Sequence, residues 1–304
     1  MEPLNVSRED FPMSTAQAAG MIPMNPKIDH YEIFYHEDIV YIERNNRKLH
    51  LQILGPIAEK STNEMFPCIV YIPGSAFHEQ NVKERVPQLS YLAQRGFVVV
   101  ALEYRGSECA IFPAQAIDAK TGVQFMKEHA KEYNIHPDNI FLMGDSSGAH
   151  TAMIAAFSYG VNELEEVGRK STRPIVKGVI DLYGPTNFAT MNEEPSSQDH
   201  RTPDSPEGCE IGRKPVLQHP ELVKPATVAS YVQPERILPP ILMFHGTNDE
   251  LVPFGQGCEL YKALTDAKKE AIFYQVIGAH HGGREFWTQE VLDIEEQFMR
   301  NLCE

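Results

Sequence analysis

The sequence predicts an α/β fold: a mostly parallel eight-stranded sheet, helices on both faces and a small cap, in a single domain over residues 1–304. Three observations carry this. Apolar strand-like runs alternate with runs of helical periodicity, the pattern of a parallel sheet covered on both sides. The chain has 304 residues, 42% hydrophobic and 23% charged, which is enough to bury one large core. It carries no internal repeat and no low-complexity tract to divide it into modules.

The strand runs fall at residues 39–42, 49–54, 68–72, 97–102, 139–143, 176–182, 241–244 and 272–277. The first two read as a hairpin about Asn45-Asn46. Between the later ones lie helices. Ala116, Ala119, Val123, Met126 and Ala130 recur at helical spacing after Phe112-Pro113, and Trp287, Val291, Ile294, Phe298 and Leu302 form the stripe of the last helix. Such stripes are core, and Trp287 needs no cofactor to account for it. Residues 1–37 and 184–238 break the alternation and are candidate cap or lid segments. The first brings Phe11, Met13, Met21, Ile22 and Met24 to an otherwise polar stretch. These pack either on the domain edge or over the mouth of a site.

Composition excludes several classes of function. A net charge of -15 argues against nucleic acid and anionic membranes as partners. No apolar run approaches the length of a membrane helix, and the polar, acidic residues 1–10 do not read as a signal peptide, so the expected location is the cytoplasm. Five scattered cysteines without a C-x-x-C pair read as free thiols. There is no G-x-x-x-x-G-K-[ST], no G-x-G-x-x-G and no H-E-x-x-H among the twelve histidines; no metal and no organic cofactor are expected.

The chemistry is carried by Gly144-Asp145-Ser146-Ser147-Gly148, a G-x-S-x-G set between a strand run and the small-residue helical run 149–157. In that setting the turn is a nucleophile elbow, which lifts the serine hydroxyl above the sheet edge. Serine needs a base to remove its proton, and the base needs an acid to hold its tautomer. Two later strand ends supply them: Asp249, in His245-Gly246-Thr247-Asn248-Asp249, and His281, in Gly278-Ala279-His280-His281-Gly282. His280 beside His281, and Glu250 beside Asp249, remain open as alternatives, with Gly-Ala-x-His-Gly favouring His281. Asp145 belongs to the elbow and points away from the base. Oxyanion donors are expected from the Ser147 N–H at the helix start and from the loop after residue 72, where Pro73 has no N–H and Gly74, Ser75 and Ala76 do.

With these motifs in place, the chain resembles the small bacterial carboxylesterases of the α/β-hydrolase superfamily, near the feruloyl/acetylxylan-esterase and hormone-sensitive-lipase-like lipase/esterase branches. The resemblance runs from about Ile69 to Phe298 and includes Tyr71-Ile72-Pro73-Gly74-Ser75-Ala76, Glu103-Tyr104-Arg105, Phe112-Pro113-Ala114-Gln115 and Tyr183-Gly184-Pro185-Thr186. It implies the catalytic set Ser146, Asp249 and His281, in the superfamily's order, and an oxyanion hole at Ser75, Ala76 and Ser147. The family's His-Gly-Gly-Gly loop is replaced here by Pro73, Gly74, Ser75 and Ala76, which makes the space beside the carbonyl tighter. The implied activity is hydrolysis of short-chain carboxylic esters, acetyl to butyryl, on sugars or aromatic alcohols, with a small-molecule ester as the partner. An amidase or formamidase on the same core, and a non-catalytic binding protein, are the competing readings.

Overall fold

The computed structural model describes residues 3–58, 64–166, 168 and 171–303. Strands β1 (Ile33–Arg44) and β2 (Arg47–Pro56) form the expected hairpin. Its two-residue loop is Asn45-Asn46, both at positive φ, which a tight hairpin turn requires and asparagine tolerates. The chain then alternates: β3 (Phe66–Ile72), α1 (Val86–Gln94), β4 (Val98–Leu102), α2 (Ala114–Glu128), β5 (Ile135–Asp145), α3 (Ser147–Phe157) and β6 (Gly178–Leu182). Two short helices follow, α4 (Pro206–Glu210) and α5 (Pro220–Ala226). Last come β7 (Ile241–Gly246), α6 (Gly255–Asp266), β8 (Ala271–Val276) and α7 (Gln289–Cys303).

Each of the eight strand runs read from the sequence is a strand, and all join one sheet in the order β1-β2-β4-β3-β5-β6-β7-β8. β2 is antiparallel to β1 and β4; the remaining pairs are parallel. This is the α/β-hydrolase arrangement. Neighbouring residues on a strand point to opposite faces, so Val70, Val100 and Leu142 pack with α2 and α3 while Ile69, Val99 and Met143 pack with α1 and α7. The central strands β3 to β7 are therefore buried on both sides and continuously apolar, while the edge strands β1 and β8 are partly exposed. The C-terminal ends of β5, β7 and β8 converge on one edge, where the site lies. No helix of the described residues is long and apolar enough to cross a membrane. The five cysteines are free.

The two segments outside the alternation behave differently. Residues 184–238 hold α4, α5 and turns of 3-10 helix, and bury Phe188, Met191, Ile211, Val216, Val223 and Ala226. They are bonded to the domain: the N–H groups of Thr186 and Asn187 donate to Gln256 Oε1 of α6 at 2.9 and 2.8 Å. His150 of α3 donates through Nε2 to the Ala226 carbonyl at 2.7 Å and stacks on Phe188. In the N-terminal segment, residues 33–37 belong to β1, and residues 3–30 form neither helix nor strand. Met13 is 93% and Ile22 91% exposed, and Phe11, Met21 and Met24 are exposed as well. Residues 3–30 are thus exposed, whereas Tyr31 packs on the domain edge, its N–H on the Gln94 carbonyl at 2.9 Å and its ring on Phe66.

Candidate active site

Ser146 sits between β5 and α3 with φ 51° and ψ −128°. Such a backbone costs a non-glycine residue roughly 1–3 kcal/mol, and it is held here by close packing around it. A Cβ on Gly144 would come 2.5 Å from the Gly148 backbone, and one on Gly148 would come 2.0 Å from the Ile72 carbonyl oxygen. Only glycines fit this fold-back. The Ser146 N–H donates to the Leu182 carbonyl at 2.9 Å, tying the turn to β6.

The loops after β7 and β8 bring the other two groups to the serine. His281 Nε2 lies 2.9 Å from Ser146 Oγ, and His281 Nδ1 lies 2.8 Å from Asp249 Oδ2. The other Asp249 oxygen accepts the N–H groups of Leu251 and Val252 at 3.0 and 2.8 Å, an Asx-type turn that fixes the carboxylate. His245 Nε2 stands 3.5 Å from Asp249 Oδ2. Burial alone would raise the Asp249 pKa, but hydrogen bonds from His245 and His281 outweigh it and hold the carboxyl well below the usual carboxylate range. The acid is therefore charged whenever the imidazole needs orienting. The edge of the Tyr183 ring packs on His281 at 4.9 Å between centroids.

The neighbours of these residues are turned elsewhere. His280 Nδ1 pairs with Glu250 Oε2 at 3.0 Å, and both side chains are largely exposed. His281 and Asp249, not His280 and Glu250, face the serine.

On the oxyanion side the three expected residues differ. The Ser75 N–H donates to Ser147 Oγ at 2.9 Å, so it is already engaged. The Gly74 N–H is engaged too, by Asp145 Oδ1 at 2.7 Å. The N–H groups of Ala76 and Ser147 take no acceptor among the described residues and border the same cavity as Ser146. Ala76 and Phe77 both have positive φ, which folds the loop over the serine. Ser75 instead holds the loop's shape, with its hydroxyl on the His78 carbonyl and near the Tyr104 hydroxyl.

Several residues of the site carry no motif of their own. Asp145 accepts from the Tyr71 hydroxyl at 2.6 Å and from Gly74, with Arg85 3.9 Å away. It is the variable position of the G-x-S-x-G set, and the sequence marks it only by its charge in a buried turn. His200 and Glu207, from the 184–238 segment, line the cavity beside Ser146; they are far apart from the motifs in sequence, and only the fold brings them there. That cavity is small, about 60 Å3, with Phe77, Pro185, Pro206 and Val252 among its apolar walls. Among the described residues no cluster of His, Cys, Asp or Glu is disposed to hold a metal.

A serine bonded to a histidine and the histidine to a buried carboxylate, all on the C-terminal edge of this sheet, is the arrangement of the α/β-hydrolase esterases, and residues 51–264 match the BD-FAE family. The chain belongs to that family. Relatives of this BD-FAE protein include esterase LipQ of Mycobacterium tuberculosis, 29% identical over 71% of this chain and 50% of its own length. The isoprenylcysteine alpha-carbonyl methylesterase ICME of Arabidopsis thaliana is 25% identical over 78% of this chain and 54% of its own. The chain spans about half the length of the curated relatives it matches. Among solved structures, a truncated carbohydrate esterase from gut microbiota is 27% identical, with a TM-score of 0.78 over 92% of this chain and 99% of that one. Esterase 2 of Thermogutta terrifontis, 24% identical with a TM-score of 0.68 over 91% of this chain and 96% of that one, shares the fold.

Proposed function

We propose that the protein is a serine carboxylic ester hydrolase. The observation that carries this reading is the unbroken set of contacts from Ser146 Oγ to His281 Nε2 at 2.9 Å and from His281 Nδ1 to Asp249 at 2.8 Å. In the proposed cycle Ser146 Oγ attacks the ester carbonyl while His281 Nε2 takes its proton, and Asp249 orients the imidazole and stabilises the imidazolium. The oxyanion of the tetrahedral intermediate is received by the N–H groups of Ala76 and Ser147. His281 then gives its proton to the leaving alcohol, and water repeats the sequence on the acyl-enzyme to release the acid.

The size of the cavity supports short, neutral acyl groups, acetyl to butyryl. The cavity is the space beside Ser146 and His281, and each methylene beyond a full pocket costs about 1–3 kcal/mol. The names of the relatives include a carbohydrate esterase and a methylesterase, which is consistent with small acyl groups or small alcohols; for this chain we propose the former, on a sugar or small aromatic alcohol.

A p-nitrophenyl ester series tests the reading. The highest kcat/KM is expected between acetate and butyrate, with a fluorophosphonate labelling Ser146. An optimum at octanoate or longer refutes the short-acyl pocket, labelling elsewhere refutes the nucleophile, and turnover of aryl formamides in preference to esters favours an amidase.

A further inference from the structure

We infer that Glu207, held by His200, is a specificity residue that accepts a hydrogen bond from a hydroxyl group of the substrate. This rests on the esterase reading and adds a recognition element to the same cavity.

The two side chains come from the segment that covers the site, and each is only 2% exposed, yet both line the cavity that holds Ser146 and His281. His200 is fixed on three sides. Its Nδ1 lies 3.0 Å from Glu207 Oε2. Its Nε2 lies 2.9 Å from the Leu251 carbonyl, in the loop of the catalytic acid, and 3.0 Å from Ser196 Oγ. Its N–H donates to Asn192 Oδ1 at 2.8 Å. Glu207 stands at the first turn of α4, on whose Ser205 cap the Gly208 N–H closes at 3.0 Å, so its backbone is fixed as well.

Glu207 Oε2 lies 3.0 Å from His200 Nδ1, an ion-pair contact without hydrogen-bond geometry, and Oε2 has no hydrogen-bond partner among the described residues although Glu207 lines the cavity. A buried carboxylate oxygen without a partner loses much of its hydration and regains it only from a donor. Phe77, Pro185, Pro206 and Val252 offer no side-chain donor, and Gln198, also in the wall, makes no hydrogen bond to Glu207. An incoming substrate hydroxyl is a donor of the right size for so small a space. A purely apolar acyl or alkyl group leaves the oxygen unsatisfied, and the pocket discriminates against it for that reason. The pairing also acts on His200: burial lowers its pKa, but the contact and charge of Glu207 outweigh this and the net direction is upward.

The test compares matched esters that differ by hydroxyls alone. In one pair, 2,3-dihydroxypropyl acetate is set against propyl acetate, placing the hydroxyl on the alcohol half. In the other, ethyl hydroxyacetate is set against ethyl acetate, placing it on the acyl half. The parent protein is expected to prefer the hydroxylated member of one pair, which also tells which half meets Glu207. Glu207→Ala should lower that preference ratio about 10- to 100-fold, the range for a hydrogen bond to a charged group. Glu207→Gln, which keeps one neutral acceptor in the same volume, should lower it less, and it carries the test if the alanine variant does not fold. A parent without preference in either pair, or ratios in both variants within a factor of two of the parent's, overturns the inference whatever happens to Tm. A parent that turns over none of the four esters is the separate failure of the esterase reading, and takes this inference with it.

Discussion

Residues 3–30 and residues 184–238 are both long, polar and Pro-containing, and both carry scattered large apolar side chains, yet the structure uses them in opposite ways. Met13 and Ile22 of the first are more than nine-tenths exposed, whereas Phe188, Val216 and Ala226 of the second are buried. The difference is anchorage. The second segment starts and ends in the sheet, between β6 and β7, so closing it over the site orders a loop whose two ends are already fixed. It also meets waiting partners: Gln256 takes two of its N–H groups and the Thr186 hydroxyl lies on the Gln256 carbonyl, while His150 takes its Ala226 carbonyl. Residues 3–30 show no such bonds to the sheet among the described residues. Apolar content alone does not make a segment pack; matched hydrogen bonds decide it.

The comparison can be broken or sharpened by measurement. The largest effect sets the reference: Ser146→Ala or His281→Ala should lower kcat by roughly 10⁴- to 10⁶-fold with Tm close to the parent's. Activity retained in Ser146→Ala would remove the site from between the two segments altogether.

Next is the anchor of the covering segment. Gln256→Ala leaves the buried N–H groups of Thr186 and Asn187 without an acceptor, and should cost about 2–4 kcal/mol of stability. Because the segment walls the cavity, KM should rise along with the fall in Tm. A fall in Tm with unchanged KM would show that the segment packs on the domain without shaping the pocket.

A smaller effect comes from two buried carboxyl groups in the body of the domain. Glu295 of α7 is fully buried with neither oxygen bonded, and burial pushes its pKa up to about 8; that of buried Asp181 is pushed up to about 7. Below the unfolded carboxyl values both states are protonated. As pH rises past them the unfolded chain ionises while the folded protein does not, so stability falls until the folded values are passed. Glu295→Gln should therefore gain Tm over the parent at pH 8 relative to pH 5, by at least about 2 °C. An equal Tm difference at both pH values would show that Glu295 is ionised in the fold.

The smallest effect is the sharpest contrast. Removal of residues 1–24 should change neither kcat/KM by more than about twofold nor Tm by more than about 1 °C, since exposed side chains with no partners contribute little. A rise in KM in the truncated protein would restore the N-terminal segment as a second cover for the site.

Much of this was legible in the sequence for a plain reason. Parallel strands buried on both faces must be continuously apolar, so runs such as those ending in Ile72, Met143 and Phe244 declare themselves. Gly144 and Gly148 are visible because a side chain there collides with backbone, and Asp249 and His281 because each follows a strand end. What was not legible depends on which hydrogen bonds are already spent. Ser75 and Ala76 are adjacent and equally able to donate, and only the geometry shows that the Ser75 N–H goes to Ser147 Oγ while that of Ala76 is left over. The arrival of His200 and Glu207 at the cavity is likewise a tertiary fact, carried by no local pattern.

Asp145 has a consequence for how such a site changes over time. One carboxylate joins the strand that leads into Ser146, through its own backbone, to the loop after β3, through Gly74, and to β3 itself, through Tyr71. Ser146 and that loop are thus held as a single part. A mutation that reshapes the loop for a bulkier acid must first satisfy this shared joint, so new specificities should arise by altering the far wall, in residues 184–238, while the joint itself stays fixed.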